Sequence, residues 1–155
     1  MLSNVLDTIR TLIVPMQDRN LLLPNVAVAE VMPYTRPRAI DDAPEWLLGS
    51  ISWRGKNIPL ISYDRLNGID TGKGLTQARI VVFNTVQRNS GLEFYALVTA
   101  GIPQLRRVNP DALQEISGDV LEGALSQVQI GEIQAIIPDL DALETAVAAT
   151  WKQVA

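Results

Sequence analysis

With 155 residues, 47% of them hydrophobic and 19% charged, the chain is long enough to bury a core without disulfide or metal staples and too apolar to be disordered. Its formal net charge of −4, with 13 lysines and arginines scattered along the chain, argues against a concentrated positive face for nucleic acid. Because there is no cysteine and no histidine, the sequence excludes thiolate nucleophiles, imidazole-activated nucleophiles and zinc sites built from these residues.

The apolar runs of the sequence are all interrupted by proline, asparagine or glutamate before they reach the length of a bilayer span. The N-terminal stretch MLSNVLDTIR lacks the basic segment and apolar core of a secretory signal. We therefore expect a cytoplasmic protein with no direct membrane insertion.

Alternation of apolar and polar residues predicts β-strands through most of the chain. The expected elements of the first part are a strand (11–17), a turn (18–20), one or two strands (21–32), a proline-rich loop (33–44) and a single helical turn (44–49). Within 21–32, alternation places Val26, Val28, Glu30 and Met32 on one face of a strand.

The stretch GSISWRGKNIPL, residues 49–60, predicts a β-hairpin. A type II′ turn favours glycine at its first central position, which makes Gly55 and Lys56 the central pair. The facing pairs in this register are Trp53–Ile58 and Ile51–Leu60, an apolar quartet. Arg54 then lies beside the turn, on the face opposite this quartet.

The second half of the chain predicts further strands and one helix. The expected elements are a flexible glycine-rich loop (67–77), strands over 78–86, 92–100 and 124–138, and a strand with a Pro-Asp turn in 104–116. From Asp139, a helix N-cap, the period changes to three and four residues. The resulting apolar stripe is Leu140, Leu143, Val147, Trp151 and Val154. The pattern is that of a mainly antiparallel β fold, with two small barrels rather than one, closed by an amphipathic helix.

Two motifs in the glycine-rich loop indicate catalysis only weakly. Asp70-Thr71-Gly72 is the triplet of aspartic proteases, and a dimeric protease is the alternative function that it raises. The context LNGI…KGL is that of a solvated loop, where these residue types favour turns. The segment Gly68–Gly74 is a near miss for a phosphate loop, but it precedes a strand instead of a helix. We therefore expect no enzyme activity, no cofactor and no metal.

Glu30 and Arg54 are the candidates for binding. Glu30 lies among apolar residues of its predicted face, where a carboxylate needs a partner or water. The guanidinium of Arg54 offers a planar match to a carboxylate. The residues alone leave two possibilities open: a buried or half-buried ion pair, or an arginine that simply flanks the hairpin.

The succession VAEVM, APEWLLGSISWRGKNIPLISY, ARIVVFNTV, FYALVTAGIPQLRRV and LSQVQIGEIQAIIPDLDAL resembles the CheW family of chemotaxis adaptors. The resemblance runs over about residues 9–145, and segment 44–61 is its most specific part. It implies one domain over 1–155, built from two small five-stranded SH3-like β-barrels that share an apolar seam, with a C-terminal helix at about 139–153. Within the family, the stretch LLLPNVAVAEV and the absence of an acidic residue after IPLI look closer to accessory members of type IV pilus chemosensory systems, such as ChpC or PilI.

The resemblance implies a non-catalytic adaptor that couples methyl-accepting chemoreceptors to a CheA-type histidine kinase. The implied partners are the regulatory domain of the kinase and the cytoplasmic tip of the receptor. Glu30 and Arg54 match a family pair that shapes the partner-binding surface, and Val28 matches a partner-contacting valine. The departures from the family pattern are Ser52 for Asn, Trp53 for Leu and Ser62 for Asp. An accessory member that competes for the receptor without activating the kinase is the alternative within the family.

Overall fold

The computed structural model describes residues 8–68, 77–86, 91–116 and 124–154. The strands are β1 (Ile9–Pro15), β2 (Asn20–Pro24), β3 (Val28–Pro33), β4 (Leu47–Trp53), β5 (Lys56–Ile61), β6 (Arg79–Asn84), β7 (Phe94–Val98), β8 (Gln104–Val108), β9 (Gln114–Glu115), β10 (Ala124–Ile130) and β11 (Ile133–Pro138). The helices are the single turn α1 (Tyr63–Leu66) and the longer α2 (Leu140–Val154). Two 3-10 turns lie at Asn25–Ala27 and Pro110–Ala112.

The strands form two mixed sheets. One has five strands in the order β3-β6-β7-β5-β4, and the other has six in the order β8-β1-β2-β11-β10-β9. Neighbours pair antiparallel except for β5 with β7 and β11 with β2. The expected fold class, mainly β with a C-terminal helix, is confirmed, and the two-residue β9 brings the second sheet to six strands instead of five.

The largest apolar cluster joins the two sheets and the helix. It contains Leu12 and Val14 of β1, Phe83 of β6, and Leu143 and Val147 of α2, all 6% exposed or less. A second cluster lies on the five-stranded sheet and includes the predicted hairpin quartet Ile51, Trp53, Ile58 and Leu60. The five-stranded sheet therefore has apolar residues packed against both of its faces.

Helix α2 begins and packs as the sequence predicts. The carboxylate Oδ1 of Asp139 accepts a hydrogen bond from the Ala142 N–H at 3.1 Å, which makes Asp139 the N-cap. The predicted stripe faces the main core: its middle is buried, and Leu140, Trp151 and Val154 pack partly buried against the same cluster. On the same helix, the fully buried Glu144 accepts the Val86 N–H through both carboxylate oxygens, at 2.8 and 3.0 Å.

The strands expected within 21–32 exist, but the face expected for Val26 and the helical turn expected over 44–49 need correction. The 3-10 turn Asn25–Ala27 interrupts 21–32, so Val26 leaves the strand and is 86% exposed. The helical turn predicted over 44–49 is wrong. A reverse turn ends where the Leu47 N–H donates to the Pro44 carbonyl at 3.0 Å, and β4 begins at once. Strand pairing with β5 prevails over the local helical tendency of this stretch.

The predicted hairpin exists, but its register is wrong. Trp53 faces Lys56 and Ile51 faces Ile58, so Arg54 and Gly55 are the central residues of the turn. Their φ angles are 48° and 77°, and two positive values define a type I′ turn, the form whose twist suits a tight hairpin. The pairing differs from the prediction by two residues, which leaves the apolar quartet on its predicted face. Of the loop expected at 67–77, residues 69–76, which include Asp70-Thr71-Gly72, lie outside the described residues.

Candidate binding site

Glu30, Trp53 and Arg54 form one cluster at the turn of the β4–β5 hairpin. Arg54 Nη2 lies 3.0 Å from Glu30 Oε1, and Trp53 Nε1–H donates to the same oxygen at 3.2 Å. The guanidinium carbon of Arg54 lies 4.5 Å from the centroid of the Trp53 ring. A single carboxylate oxygen therefore holds both an arginine and an indole, and the arginine also stacks on the indole.

The cluster is more exposed than a buried pair would be. The side chains of Arg54 and Glu30 are 66% and 40% exposed, whereas Trp53 is only 5% exposed. Of the two possibilities left open by the sequence, the ion pair exists, but it lies at the surface. Solvent-exposed pairs of this kind contribute only about 0–1 kcal/mol to folding, so the pair matters mainly for the shape and charge of the surface.

The positive φ of Arg54 explains why the arginine reaches the indole of its own neighbour. In a regular strand, adjacent side chains point to opposite faces, which is the arrangement that the sequence predicts for Trp53 and Arg54. At a φ of 48° the backbone turns, and the Arg54 side chain packs against the Trp53 ring instead. Strand alternation therefore does not predict Trp53 as a member of the site, although its indole N–H is a sign that this core residue needs a polar partner.

Val28, the third predicted site residue, is not part of this cluster. β3 has an irregularity in its pairing with β6: Val28 faces Phe83, whereas Glu30 faces the adjacent residue Val82. Adjacent residues of β6 point to opposite faces of the sheet, so Val28 and Glu30 do as well. Val28 is half-buried and packs against the main core, so the prediction that it shares a face with Glu30 is wrong.

A second charged pair extends the cluster along the same hairpin. The Trp53 ring is 4.7 Å from the Phe94 ring at an angle of 58°, and Lys56 Nζ lies 5.5 Å from the Phe94 centroid. Lys56 also forms a salt bridge with Glu93. The resulting surface combines two cations, two aromatic rings and two carboxylates.

The buried polar and charged side chains of the described residues are not members of this cluster. Asp64 of α1 accepts the Gln17 N–H through Oδ2 at 3.1 Å, and burial raises the pKa of its carboxyl. Burial likewise raises the pKa of the Tyr63 and Tyr95 hydroxyls. The described residues contain no group of three or more acidic side chains placed to hold a metal, and none of their helices has the length and apolarity needed to cross a bilayer.

Ser62 is the departure from the family pattern whose role the geometry explains. It is 1% exposed and is the N-cap of α1, where its Oγ accepts the Arg65 N–H at 3.2 Å. Serine and aspartate are both favoured N-caps, so the exchange of one for the other keeps the start of this helix.

A family model described as a CheW-like domain matches residues 10–147, a span that contains Val28, Glu30 and Arg54. Among solved structures, the chain is similar to the scaffolding protein TtCheW from Thermoanaerobacter tengcongensis, with a TM-score of 0.73 and 17% sequence identity over 86% of this chain and 85% of that one. At this identity, the likeness shows a shared fold. No curated protein sequence is significantly similar to the chain.

Proposed function

The chain belongs to the CheW-like family, and we propose that it acts as a non-catalytic adaptor that couples chemoreceptors to a CheA-type histidine kinase. The observation that carries the proposal is the family match over residues 10–147. The fold shared with TtCheW, which is described as a scaffolding protein, supports it. The lack of histidine and cysteine in the whole sequence, which removes the commonest catalytic nucleophiles and bases, agrees with an adaptor.

The cluster of Glu30, Trp53 and Arg54 is the proposed docking surface for the kinase regulatory domain. Arg54 uses one N–H on Glu30, so further guanidinium donors are left to meet carbonyl or carboxylate groups of a partner. An arginine stacked on a fixed aromatic ring loses little conformational entropy on binding, which is why such groups dominate the energetics of many interfaces.

Val28 contributes to a different part of the proposed surface. It points to the opposite face of the five-stranded sheet from Glu30, so a single flat partner cannot contact both side chains in the same way. We assign Val28 to the second contact of the adaptor, with the cytoplasmic tip of a methyl-accepting receptor. Two faces for two partners is the arrangement that a coupling protein at a receptor array requires.

The competing proposal is an accessory member that occupies the receptor without activating the kinase, as in a type IV pilus chemosensory system. The replacement of the family's Asp by Ser62 is the sequence feature behind it. Ser62 is buried and caps a helix, so the replacement does not alter an exposed partner contact. This favours coupling over competition.

Reconstituted kinase autophosphorylation tests the proposal. Receptor-containing vesicles, kinase and increasing amounts of this chain are mixed, and phosphoryl transfer from labelled ATP to the kinase is followed. Coupling predicts a rise in kinase activity that depends on both the chain and the receptor. In a second mixture, a reference CheW activates the kinase before this chain is added, and a fall in kinase activity on its addition would establish competition instead. If this chain neither raises nor lowers kinase activity, both proposals are refuted.

Variants then locate the surface. We expect Arg54→Ala and Glu30→Ala to weaken kinase capture in a pull-down, and Val28→Asp to weaken receptor capture. Arg106→Ala, an exposed arginine on β8, is the matched control and should behave as wild type. If Arg106→Ala weakens capture as much as Arg54→Ala, the effect is one of net charge and the assigned surface is wrong.

A further inference from the structure

A polar groove lies along the outer edge of β4, at the margin of the five-stranded sheet. Its volume is about 490 Å³, and its polar lining consists of Thr35, Arg36, Arg38, Ser50, Ser52 and Asn57. The lining therefore provides two guanidinium groups, three hydroxyls and one amide, and it contains no carboxylate. A chain of net charge −4 thus has a locally cationic groove at an open sheet edge.

The wall of the groove is held in place by backbone contacts. Arg38 and Ser50 exchange two hydrogen bonds, N–H to carbonyl, at 2.8 and 2.9 Å. This close approach requires glycine at position 49, whose φ is 147°, because a Cβ there would lie 2.2 Å from the Arg38 carbonyl oxygen. Pro37 fixes the backbone between the two arginines. The groove is therefore part of the folded framework and does not depend on side-chain placement alone.

The edge of β4 is open for pairing at Ser52. Ser50 faces Pro59 at a non-hydrogen-bonded position of the hairpin, where the missing N–H of proline costs nothing, and the N–H and carbonyl of Ser50 point outward to Arg38. Alternation along the strand directs the N–H and carbonyl of Ser52 outward as well. A continued ladder would pair Ser52 with Arg36, but within the described ranges no backbone hydrogen bond joins these two residues.

The two arginines of the groove are available for a partner. Both are exposed, and in the part of the chain that the structure describes neither forms a salt bridge. Asp41 and Asp42 follow in the same loop but do not line the groove. Arg36 precedes a proline, which favours an extended backbone, so two residues along the chain span about 6.6 Å. Carboxylates at alternate positions of an extended peptide have the same spacing.

We propose that this groove docks a short acidic peptide segment in extended conformation. The segment adds as a strand to the free edge of β4 at Ser52, and its alternate carboxylates pair with Arg36 and Arg38. Main-chain hydrogen bonds supply affinity and the arginines supply the preference for acidic side chains. The proposal does not depend on the adaptor role. Because the net negative charge of the chain repels an acidic peptide, any binding of such a peptide must arise from local contacts in the groove.

A fluorescein-labelled peptide with glutamate at alternate positions among threonine and valine tests the proposal by fluorescence anisotropy, with a glutamine counterpart as the peptide control. We expect the glutamate peptide to bind wild type and the double variant Arg36→Gln/Arg38→Gln to bind it about 2- to 30-fold more weakly, the range for two exposed charge pairs. Arg106→Gln/Arg107→Gln, two exposed arginines on β8, removes the same charge and should retain wild-type affinity. Equal loss in both double variants, equal binding of the glutamine peptide, or no binding at all would overturn the proposal.

Backbone amide exchange tests the strand addition separately. The Ser52 N–H should exchange more slowly with solvent when the peptide is bound, and a peptide methylated on its alternate backbone nitrogens should fail to bind. Binding of the acidic peptide without protection of Ser52 would overturn the strand geometry. The kinase reconstitution does not enter this test, so failure of one proposal leaves the other standing.

Discussion

Removal of Glu30 should destabilise the protein more than removal of its partner Arg54. Arg54→Ala removes an exposed ion pair, worth about 0.2–1 kcal/mol, and a cation–π contact, worth about 0.5–1 kcal/mol. Glu30→Ala removes the same ion pair and also leaves the indole N–H of Trp53 without its acceptor. Because Trp53 is 5% exposed, an unpaired donor there costs about 1–3 kcal/mol. We therefore expect Glu30→Ala to be the more harmful change, at about 1.2–4 kcal/mol against about 0.7–2 kcal/mol.

Urea unfolding followed by circular dichroism measures these losses, with the double variant completing the thermodynamic cycle. The coupling free energy between the two residues should equal that of the ion pair alone, about 0.2–1 kcal/mol. Glu30→Gln is the matched control, since its amide oxygen still accepts the indole N–H while the charge is lost. It should lie within about 1 kcal/mol of wild type. If Glu30→Gln loses as much stability as Glu30→Ala, or if Arg54→Ala is the more harmful change, the shared-acceptor geometry is refuted.

Three further changes test the core, the groove wall and a buried carboxyl. Leu143→Ala should cost about 2–5 kcal/mol in urea unfolding, because Leu143 is 5% exposed in the main core, whereas Leu125→Ala, at a side chain 63% exposed, should cost little. Gly49→Ala should lower the melting temperature more than Gly55→Ala: both have positive φ, but within the described residues an added Cβ meets backbone only at position 49. Equal losses would refute the close approach of the loop. Asp64→Asn should stabilise the protein at neutral pH. Burial raises the pKa of this carboxyl, so its contribution is present below the unfolded pKa near 3.8 and is lost as pH rises through the folded pKa. The stabilisation by Asp64→Asn should therefore disappear below about pH 3.8, and a stabilisation that persists there would contradict the raised pKa.

The strands and helix α2 could be predicted because their periodicity arises from burial. Alternation and the three- and four-residue stripe depend only on which side of an element is covered, and that information is carried by the residue types. The single turn α1 has no such stripe. Its start at Ser62 depends on one capping hydroxyl and on a strand that ends just before it. The reverse turn before β4 was mistaken for a helical turn because proline followed by apolar residues suits both.

The pairing register of the β4–β5 hairpin was harder to predict than the face on which each apolar side chain lies. A shift of two residues in the β4–β5 pairing leaves Trp53, Ile51 and their partners on the same side, so the hydrophobic pattern cannot distinguish the two registers. The turn residues must decide, and Gly55 suits either a type II′ turn as its first central residue or a type I′ turn as its second. The type I′ turn requires Arg54 to adopt a positive φ, which is uncommon for a residue with a side chain.

The site depends on the places where the backbone departs from regular strand geometry. The irregularity beside Glu30 separates it from Val28, the positive φ of Arg54 brings its guanidinium over Trp53, and Gly49 lets the loop close on β4. Each departure either turns a side chain away from the face that alternation predicts or lets a loop approach the edge of a strand. The ion pair could therefore be predicted from the sequence, since a carboxylate on an apolar face needs a cation. The acceptance of both the Trp53 and Arg54 donors by one oxygen of Glu30, and the groove, could not be predicted. Gly49→Ala would place a Cβ against the Arg38 backbone and displace this loop from β4, so it should also weaken binding of the acidic peptide to the groove.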